Sequence, residues 1–416
     1  ACAASVSPPS AGKESTPATT EVVVFNWWST ESERLGFAEL ESAMELKHPN
    51  VKVVNDSIEG GGNSGHGLLQ TRFAAGEPPD SFLVHAGKEA QDYVAAKQVS
   101  DISAFYEESG LAGVFPKDLV GILFENQKFY CVPVSVHRGN VLWASALVLK
   151  DAGVKWKEFA NLAEFIAALD QVKAAAPGVI PLAIGSAGTQ VHLLETVLIA
   201  QLGADGYRGL FDGTTDWKGE GVTKALRVFA TLMTYTNADR DNLDWEGAAE
   251  LIVEKKAAFY IMGDWVPALT EANKWTLGKD YYWSAVPGTA GIFDLVVDSF
   301  ALAAGAKHPD GAKAWLDVIS SKDAQLALNK ANGAIPARID IDLEDFSQYQ
   351  QAAAKSFAKD KLVGSIQHGV AATVKQNDET NAATEKFTAS AMAEADLQKF
   401  QDALAAAFAV EIPPTP

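Results

Sequence analysis

The stretch FNWWSTESE, residues 25–33, decides the reading of the fold. Residues 21–25, Glu-Val-Val-Val-Phe, lead into it as a short β-branched run, the pattern of a buried strand. Two adjacent tryptophans, Trp27 and Trp28, follow directly. Thr30 and Glu33 then stand at capping-box spacing before Leu35, Phe37, Leu40 and Met44, which predicts a helix. Both indoles therefore fall on the loop at the carboxyl end of a first strand, where open α/β sheets bind ligands. An indole offers a flat apolar face and one N–H donor; a sugar ring offers C–H faces edged by hydroxyls. The alternative reading makes the tryptophans core residues. It suits one of them better than both, because neighbours on an extended segment point opposite ways.

Working outward, His48, Pro49 and Asn50 stop the helix, and Val51, Val53 and Val54 begin a second strand. The Gly-rich loop over residues 60–66 lacks the Gly-Lys-Ser/Thr ending of a phosphate loop and reads as a turn. A helix is predicted over 67–75 and a third strand over 81–84, ending at His85. Strand, helix, strand, helix, strand at this spacing means a parallel sheet with crossover connections. The second half reads as another α/β unit. Strands are predicted near 180–184, 257–262, 281–286 and 295–303. Helices are predicted near 161–174, 191–202, 222–235, 244–256 and 309–320, with Ala-rich helix over most of 343–408.

At 416 residues the chain is too long for one ordinary core, so two domains are expected. The net charge of −19 argues against nucleic acid and against anionic membrane surfaces, and suits a neutral or cationic ligand. No apolar run is long enough to span a bilayer. Two cysteines, Cys2 and Cys131, exclude a disulfide framework and disfavour a thiolate metal site. Cys131 lies in an apolar run and reads as a buried small hydrophobe. Cys2 precedes a stretch to Thr20 rich in Ala, Ser, Pro and Thr. This resembles a processed bacterial lipoprotein, with Cys2 the lipidated residue and residues 1–20 a disordered tether.

Several motifs carry a more specific resemblance. TRFAAGEPPD (71–80) followed by SFLVHAG (81–87) resembles the extracellular solute-binding proteins of ABC sugar importers. FNWW, VPVSVHRGNVLW (132–143), IMGDW (261–265), VVDSFAL (296–302) and IQHGVA (366–371) are similar to the monosaccharide binders of that family, the glucose/galactose-binding proteins. The resemblance runs from about Val22 to the C-terminal region. It implies an α/β, two-lobed periplasmic-binding-protein fold with a ligand cleft between lobes. It also implies crossings near 134–140, 294–298 and 333–338. Residues 21–135 and 295–333 would form the N-terminal lobe, and 136–294 and 334–416 the C-terminal lobe.

A neutral sugar needs apolar platforms and planar polar groups, because each hydroxyl both donates and accepts. Trp27, Trp28, Trp245 and Trp265 are the expected faces. Glu33, Asp264 and Asp298 are the expected acceptors, with His85, His137, His368, Asn140 and Asn332 able to donate or accept. Gln190 and His192, near a helix start, form a second tier. Three have a structural alternative: Glu33 as the capping partner of Thr30, His137 as a hinge histidine, Trp245 as a packed residue after the N-cap Asp244. Two positions depart from the glucose/galactose pattern: Leu83 stands where an amide is usual, and Asn332 where a lysine occurs. Both remove polar reach and bear on which hexose is read.

The expected function is capture of a monosaccharide, glucose foremost, and its delivery to ABC transporter permease subunits. An oligosaccharide-binding protein of the same importer class is the alternative. The protein would act as a monomer, without a cofactor or metal, lipid-anchored on the outer face of the cytoplasmic membrane or periplasmic. Two rival classes remain. One is a glycoside hydrolase with Asp264 and Asp298 as its acid and base; the other is a peptide-binding lipoprotein. No Gly-x-Ser-x-Gly, HExxH or Walker motif is present, and the histidines are scattered along the chain.

Overall fold

The valine-rich run forms β1 (Thr20–Asn26), followed by β2 (Val51–Ser57) and β3 (Ser81–His85). A hairpin of β4 (Phe124–Glu125) and β5 (Lys128–Phe129) precedes β6 (Cys131–Arg138). Then come β7 (Val141–Ser145), β8 (Ile180–Ala183), β9 (Ala257–Ile261), β10 (Tyr281–Ala285), β11 (Ile292–Leu302), β12 (Ile335–Pro336) and β13 (Lys361–Gly364). The structure is a computed structural model that describes residues 20–59, 61–267 and 273–409. Cys2, the expected tether up to residue 19 and Gly60 lie outside the described residues.

The first sheet has the order β12-β6-β11-β3-β1-β2, with β13 joined to β11. β1 pairs in parallel with both β2 and β3, as strand–helix–strand spacing requires. β11 is antiparallel to β3 and β6 and buried along its whole length. Such near-continuous apolar strands belong in a sheet covered on both faces. The second sheet, β10-β7-β9-β8, carries its own layer of helices. Among them is the long helix Ala187–Asp212, bent at Gly203.

The helix Glu31–Lys47 buries Phe37, Leu40 and Met44 against the first sheet. Leu35, expected on that face, is 57% exposed. Two residues before Phe37 is about 200° around a helix of 3.6 residues per turn, so it points away. The helix after β2 spans Gly61–Ala74 and takes in most of the loop read as a turn. The reason is local packing: a Cβ at Gly65 would stand 2.7 Å from the Trp27 indole, so only glycine lets this turn of helix close over the ring.

The chain passes from β6 into β7, and so between the sheets, at Gly139 and Asn140. A Cβ at Gly139 would lie 2.4 Å from Asp294 Oδ2, so the crossing admits only a bare backbone. The second crossing is β11, whose Leu295 and Val296 pair with Arg138 and His137. Beyond the helix Lys322–Asn332, β12 pairs with β6 and β13 with β11, so the chain stays on the first sheet through Gly364. No described helix is long and apolar enough to cross a membrane.

Candidate functional site between the two sheets

A cavity of about 540 Å³ lies where the strand ends of the first sheet face the second group of elements. This is within the range of roughly 300–1,000 Å³ common for small-molecule sites. Ten of the twelve expected ligand residues line it. Trp27 and Trp28 come from the loop after β1, and Glu33, His85, His137 and Asp298 from the first helix, β3, β6 and β11. Asn332 ends the helix Lys322–Asn332, while Trp245, Trp265 and His368 come from the opposite side. No lysine or arginine is among the lining residues.

Asp298 is the polar centre. It pairs across β3–β11 with His85, and the β6–β11 register shifts between Asp298 and Ser299. A bulge of this kind re-aims a side chain at a site. Its two carboxylate oxygens lie 3.6 Å from His85 Nε2 and 3.4 Å from His137 Nε2. Each imidazole is held from behind. His85 Nδ1 meets Glu89 Oε2 at 2.6 Å, and His137 Nδ1 meets Asp264 Oδ1 at 2.7 Å. With the Nδ1 proton directed to a carboxylate, each Nε2 faces the cavity. Burial alone would lower the His137 pKa; hydrogen bonds to Asp264 and Asp298 outweigh it and raise it to about 10. Burial likewise opposes the charged form of His85, but Glu89 lifts it above its ordinary value.

Asp264 and Asn140 do not line the cavity, which corrects the expected ligand set. Asp264 is fully buried, and its second oxygen accepts Arg138 N–H at 3.0 Å and the Tyr349 hydroxyl at 3.1 Å. It holds His137 rather than facing a ligand. Asn140 is also fully buried. It accepts from Arg138 Nε and from the Asp294 backbone N–H, and donates to Thr289 Oγ1 and to Ile292 O. Its role is to tie the two crossing strands together. In both residues the polar atoms are consumed by remote parts of the chain.

The aromatic platforms differ in how open they are. Trp28 is 5% exposed and meets Phe37 and Phe300 edge to face, so it is part core residue, part wall. Trp27 packs against His66 and His85 with ring centroids 5.3 and 5.4 Å away. Trp265 is half-buried and central: His368, His137, His192 and Trp245 surround it at 5.0, 5.5, 5.8 and 6.4 Å. Trp245 follows the N-cap Asp244, whose side chain accepts Gly247 N–H at 2.8 Å. Glu33 serves both of its readings. It accepts the N–H groups of Ser29 and Thr30, both at 3.0 Å, and it lines the cavity, where burial pushes its pKa up to about 7.

Residues outside the expected set matter as much. Four of the seven histidines line the cavity, and a fifth, His192, packs behind Trp265, so the scatter along the chain vanishes in three dimensions. Glu89 bridges His85 and His66, with His66 Nε2 3.0 Å from Glu89 Oε1. Burial penalises its charge, yet the two histidines hold it below the usual carboxylate range. Among the described residues, His66, His85 and Glu89 are the group whose ligand atoms could hold a metal, lying within 4.8 Å of one another. His85 Nδ1 and Glu89 Oε2 are bonded to each other, whereas His66 Nε2 is buried and makes no hydrogen bond with the described residues. The i, i+4 spacing of His85 and Glu89 on a loop-to-helix turn was the one signal in the sequence; His66 had none. Gln190 is buried outside the cavity, bonded to Gly185 O, Asp241 and Thr388. Leu83 is fully buried in β3 and lines no part of the cavity.

The sequence profile of the bacterial extracellular solute-binding proteins matches residues 33–326. The chain belongs to that family. An ABC transporter extracellular-binding protein of Pyrococcus horikoshii is 32% identical over 368 residues, 87% of this chain and 82% of the relative. A probable sugar-binding periplasmic protein of Mesorhizobium japonicum is 30% identical over 334 residues, 78% of each chain. In fold, the bacterial solute receptor AcbH, reported to prefer β-D-galactopyranose exclusively, is similar with a TM-score of 0.79 at 17% identity. That match covers 93% of this chain and 98% of the receptor. A chitin oligosaccharide binding protein is similar with a TM-score of 0.78 at 17% identity, over 93% and 99% of the two chains. The two-lobed α/β fold of periplasmic sugar-binding proteins is therefore that of this chain.

Proposed function

We propose that this chain is the sugar receptor of an ABC importer, that its cavity takes a single hexopyranose, glucose foremost, and that it delivers the sugar to a membrane permease. The observation that carries the reading is Asp298. It is an anionic acceptor flanked by two oriented imidazoles, in a cavity walled by four tryptophans and free of lysine and arginine. Apolar indoles together with planar acceptors and donors are the groups a pyranose ring needs. The relative named as a sugar-binding periplasmic protein supports the sugar class. The glycoside-hydrolase rival built on Asp264 and Asp298 loses Asp264, which is enclosed by His137, Arg138 and Tyr349. An oligosaccharide is the second reading, favoured by the fold shared with the chitin oligosaccharide binding protein.

Titrating tryptophan fluorescence and heat with glucose, galactose, mannose, xylose and maltose distinguishes these readings. One hexose should bind best; tight maltose binding with weak monosaccharide binding would favour the oligosaccharide reading instead. The Asn332 amide, which lines the cavity where Leu83 does not, is where the preference among hexoses should depart from that of glucose/galactose binders. In the same assay Asp298→Asn should weaken binding by about 1.5–3 kcal/mol, the usual contribution of a hydrogen bond to a charged group. An unchanged affinity would remove Asp298 from the site.

Lipid attachment through Cys2 is part of the same proposal. Each buried methylene of an acyl chain contributes about 0.8 kcal/mol, so several chains on one cysteine would hold the receptor at the membrane. When the protein is expressed with a lipoprotein signal peptide, Cys2→Ser should move it from the membrane to the soluble fraction. Equal partitioning of the two forms counts against an anchor.

A further inference from the structure

Behind the cavity wall lies a buried pair of acids that sugar contact does not explain. Glu195, on the helix Ala187–Asp212, is fully buried. Its Oε1 accepts from Ser365 Oγ at 2.9 Å, and its Oε2 accepts the N–H groups of Ile366 and Gln367 at 2.7 and 3.0 Å. Ser365 Oγ in turn accepts His368 N–H at 3.0 Å. Thus one carboxylate shapes the segment that brings Gln367 and His368 to the cavity. Three donors on Glu195 favour its anionic form.

Asp294 is the opposite case. It sits on the crossing strand β11, fully buried, and neither side-chain oxygen receives an N–H or O–H from the described residues. Its side chain is in hydrogen-bond contact with Glu195. Two carboxylates in contact cannot both be anions in a buried site, and Glu195 is the member whose charge is solvated by donors. The proton therefore belongs on Asp294, which donates it to Glu195.

The surrounding groups are consistent with one negative charge and not two. Arg138 is the cation nearby; its Nε and Nη2 are bonded to Asn140 Oδ1 and Ile292 O. His192 Nδ1 lies 3.4 Å from Glu195 Oε1, but His192 Nε2 faces Gly139 O at 2.9 Å, and burial lowers its pKa to about 4, so it brings no charge. The Tyr207 hydroxyl donates to Gly364 O. Burial raises the Glu195 pKa against the pull of its donors, Asp294 among them, whereas burial and Glu195 together push the Asp294 pKa up.

We propose that Asp294 and Glu195 share one proton across the hinge crossing, and that this pair positions residues 365–368 so that Gln367 and His368 form the sugar-binding wall. The role assigned to Gln367 and His368 rests on the sugar reading above; the shared proton does not. Loss of the proton places two anions in contact beside Gly139, and their repulsion displaces the Glu195 carboxylate to which Ser365, Ile366 and Gln367 donate, so the wall is complete only while the pair is protonated.

The sign of the pH effect follows from linkage. A carboxyl raised on folding binds a proton that the unfolded chain has released, so stability falls as pH rises from the ordinary carboxylate range, about 4, toward the folded value. Asp294→Asn cannot ionise and can still donate to Glu195. The test compares wild type, Asp294→Asn and Glu195→Ala by thermal unfolding across pH, by infrared spectroscopy of protonated carboxyls, and by calorimetry with glucose. The melting temperature of Asp294→Asn minus that of wild type should grow with pH. A protonated-carboxyl band of the wild type at neutral pH should be absent from Asp294→Asn. Glucose affinity of the wild type should fall in alkaline solution, Asp294→Asn should not follow, and Glu195→Ala should bind at least about tenfold more weakly. Parallel pH profiles for wild type and Asp294→Asn, or no band removed by the substitution, would overturn the proposal. If no form binds glucose while band and melting profiles behave as expected, the shared proton stands and the glucose reading falls.

Discussion

Asp264→Ala should cost about 3–5 kcal/mol of stability, the loss typical when one partner of a buried ion pair is removed. Three groups would lose their acceptor at once: His137 Nδ1, Arg138 N–H and the Tyr349 hydroxyl. The contacts join β6, the segment after β9 and the helix Gln348–Lys359, so the damage reaches across the molecule. The effect has a pH signature. The His137 pKa is raised to about 10, against an ordinary value of 6.5. Its contribution to stability is therefore fully present below about pH 6.5 and is lost as pH rises through about 10. Denaturant unfolding at about pH 6 should give the full loss for Asp264→Ala, and the gap to wild type should narrow as pH rises toward about 10. Asp264→Asn keeps one carbonyl oxygen and should lose less. A deficit under about 1 kcal/mol for Asp264→Ala would mean that Asp264 does not organise the site as described.

The second large effect is on binding. Trp265→Ala should weaken glucose affinity by about 1–3 kcal/mol, by analogy with stacking of bases on aromatic side chains. Trp265 is chosen over Trp27 and Trp28 because it is half-buried where they are 7% and 5% exposed. Three histidine rings pack against it, so the proposed platform also supports His137 and His368. Trp156 supplies the control. It stacks on Tyr282 at 5.1 Å, away from the cavity, and Trp156→Ala should leave sugar affinity within about twofold. Calorimetry on both variants decides between a local and a general effect: similar losses for the two would argue that Trp265 contributes only to packing.

The order of the elements was legible from residue to residue, because the signals are local. The β-branched run before Trp27, the alternation of strand and helix to His85, the apolar run of β6 and the N-cap Asp244 each act through neighbours within a few positions. That locality placed Trp27, Trp28, His85, His137 and Trp265 at strand ends or just beyond them. It could not find β13, a short strand in a helical region that exists because β11 offers it an edge. Nor could it begin the helix at Gly61, since the space there depends on the Trp27 ring.

What only the tertiary structure decided is which polar groups face the cavity and which face each other. Asp264 and Asp298 looked alike in the chain, each a carboxylate beside an apolar strand. One is enclosed by His137, Arg138 and Tyr349; the other is turned into the cavity at a bulge. The pairings His66–Glu89, Asp264–Tyr349 and Glu195–Ser365 join segments separated by 23, 85 and 170 positions. A hydrogen bond is set by distances of about 3 Å, and burial by which surfaces meet. Neither quantity is carried by a residue's neighbours along the chain. The sequence therefore determined where polar side chains leave the strands, and the packing of remote segments determined what each one meets.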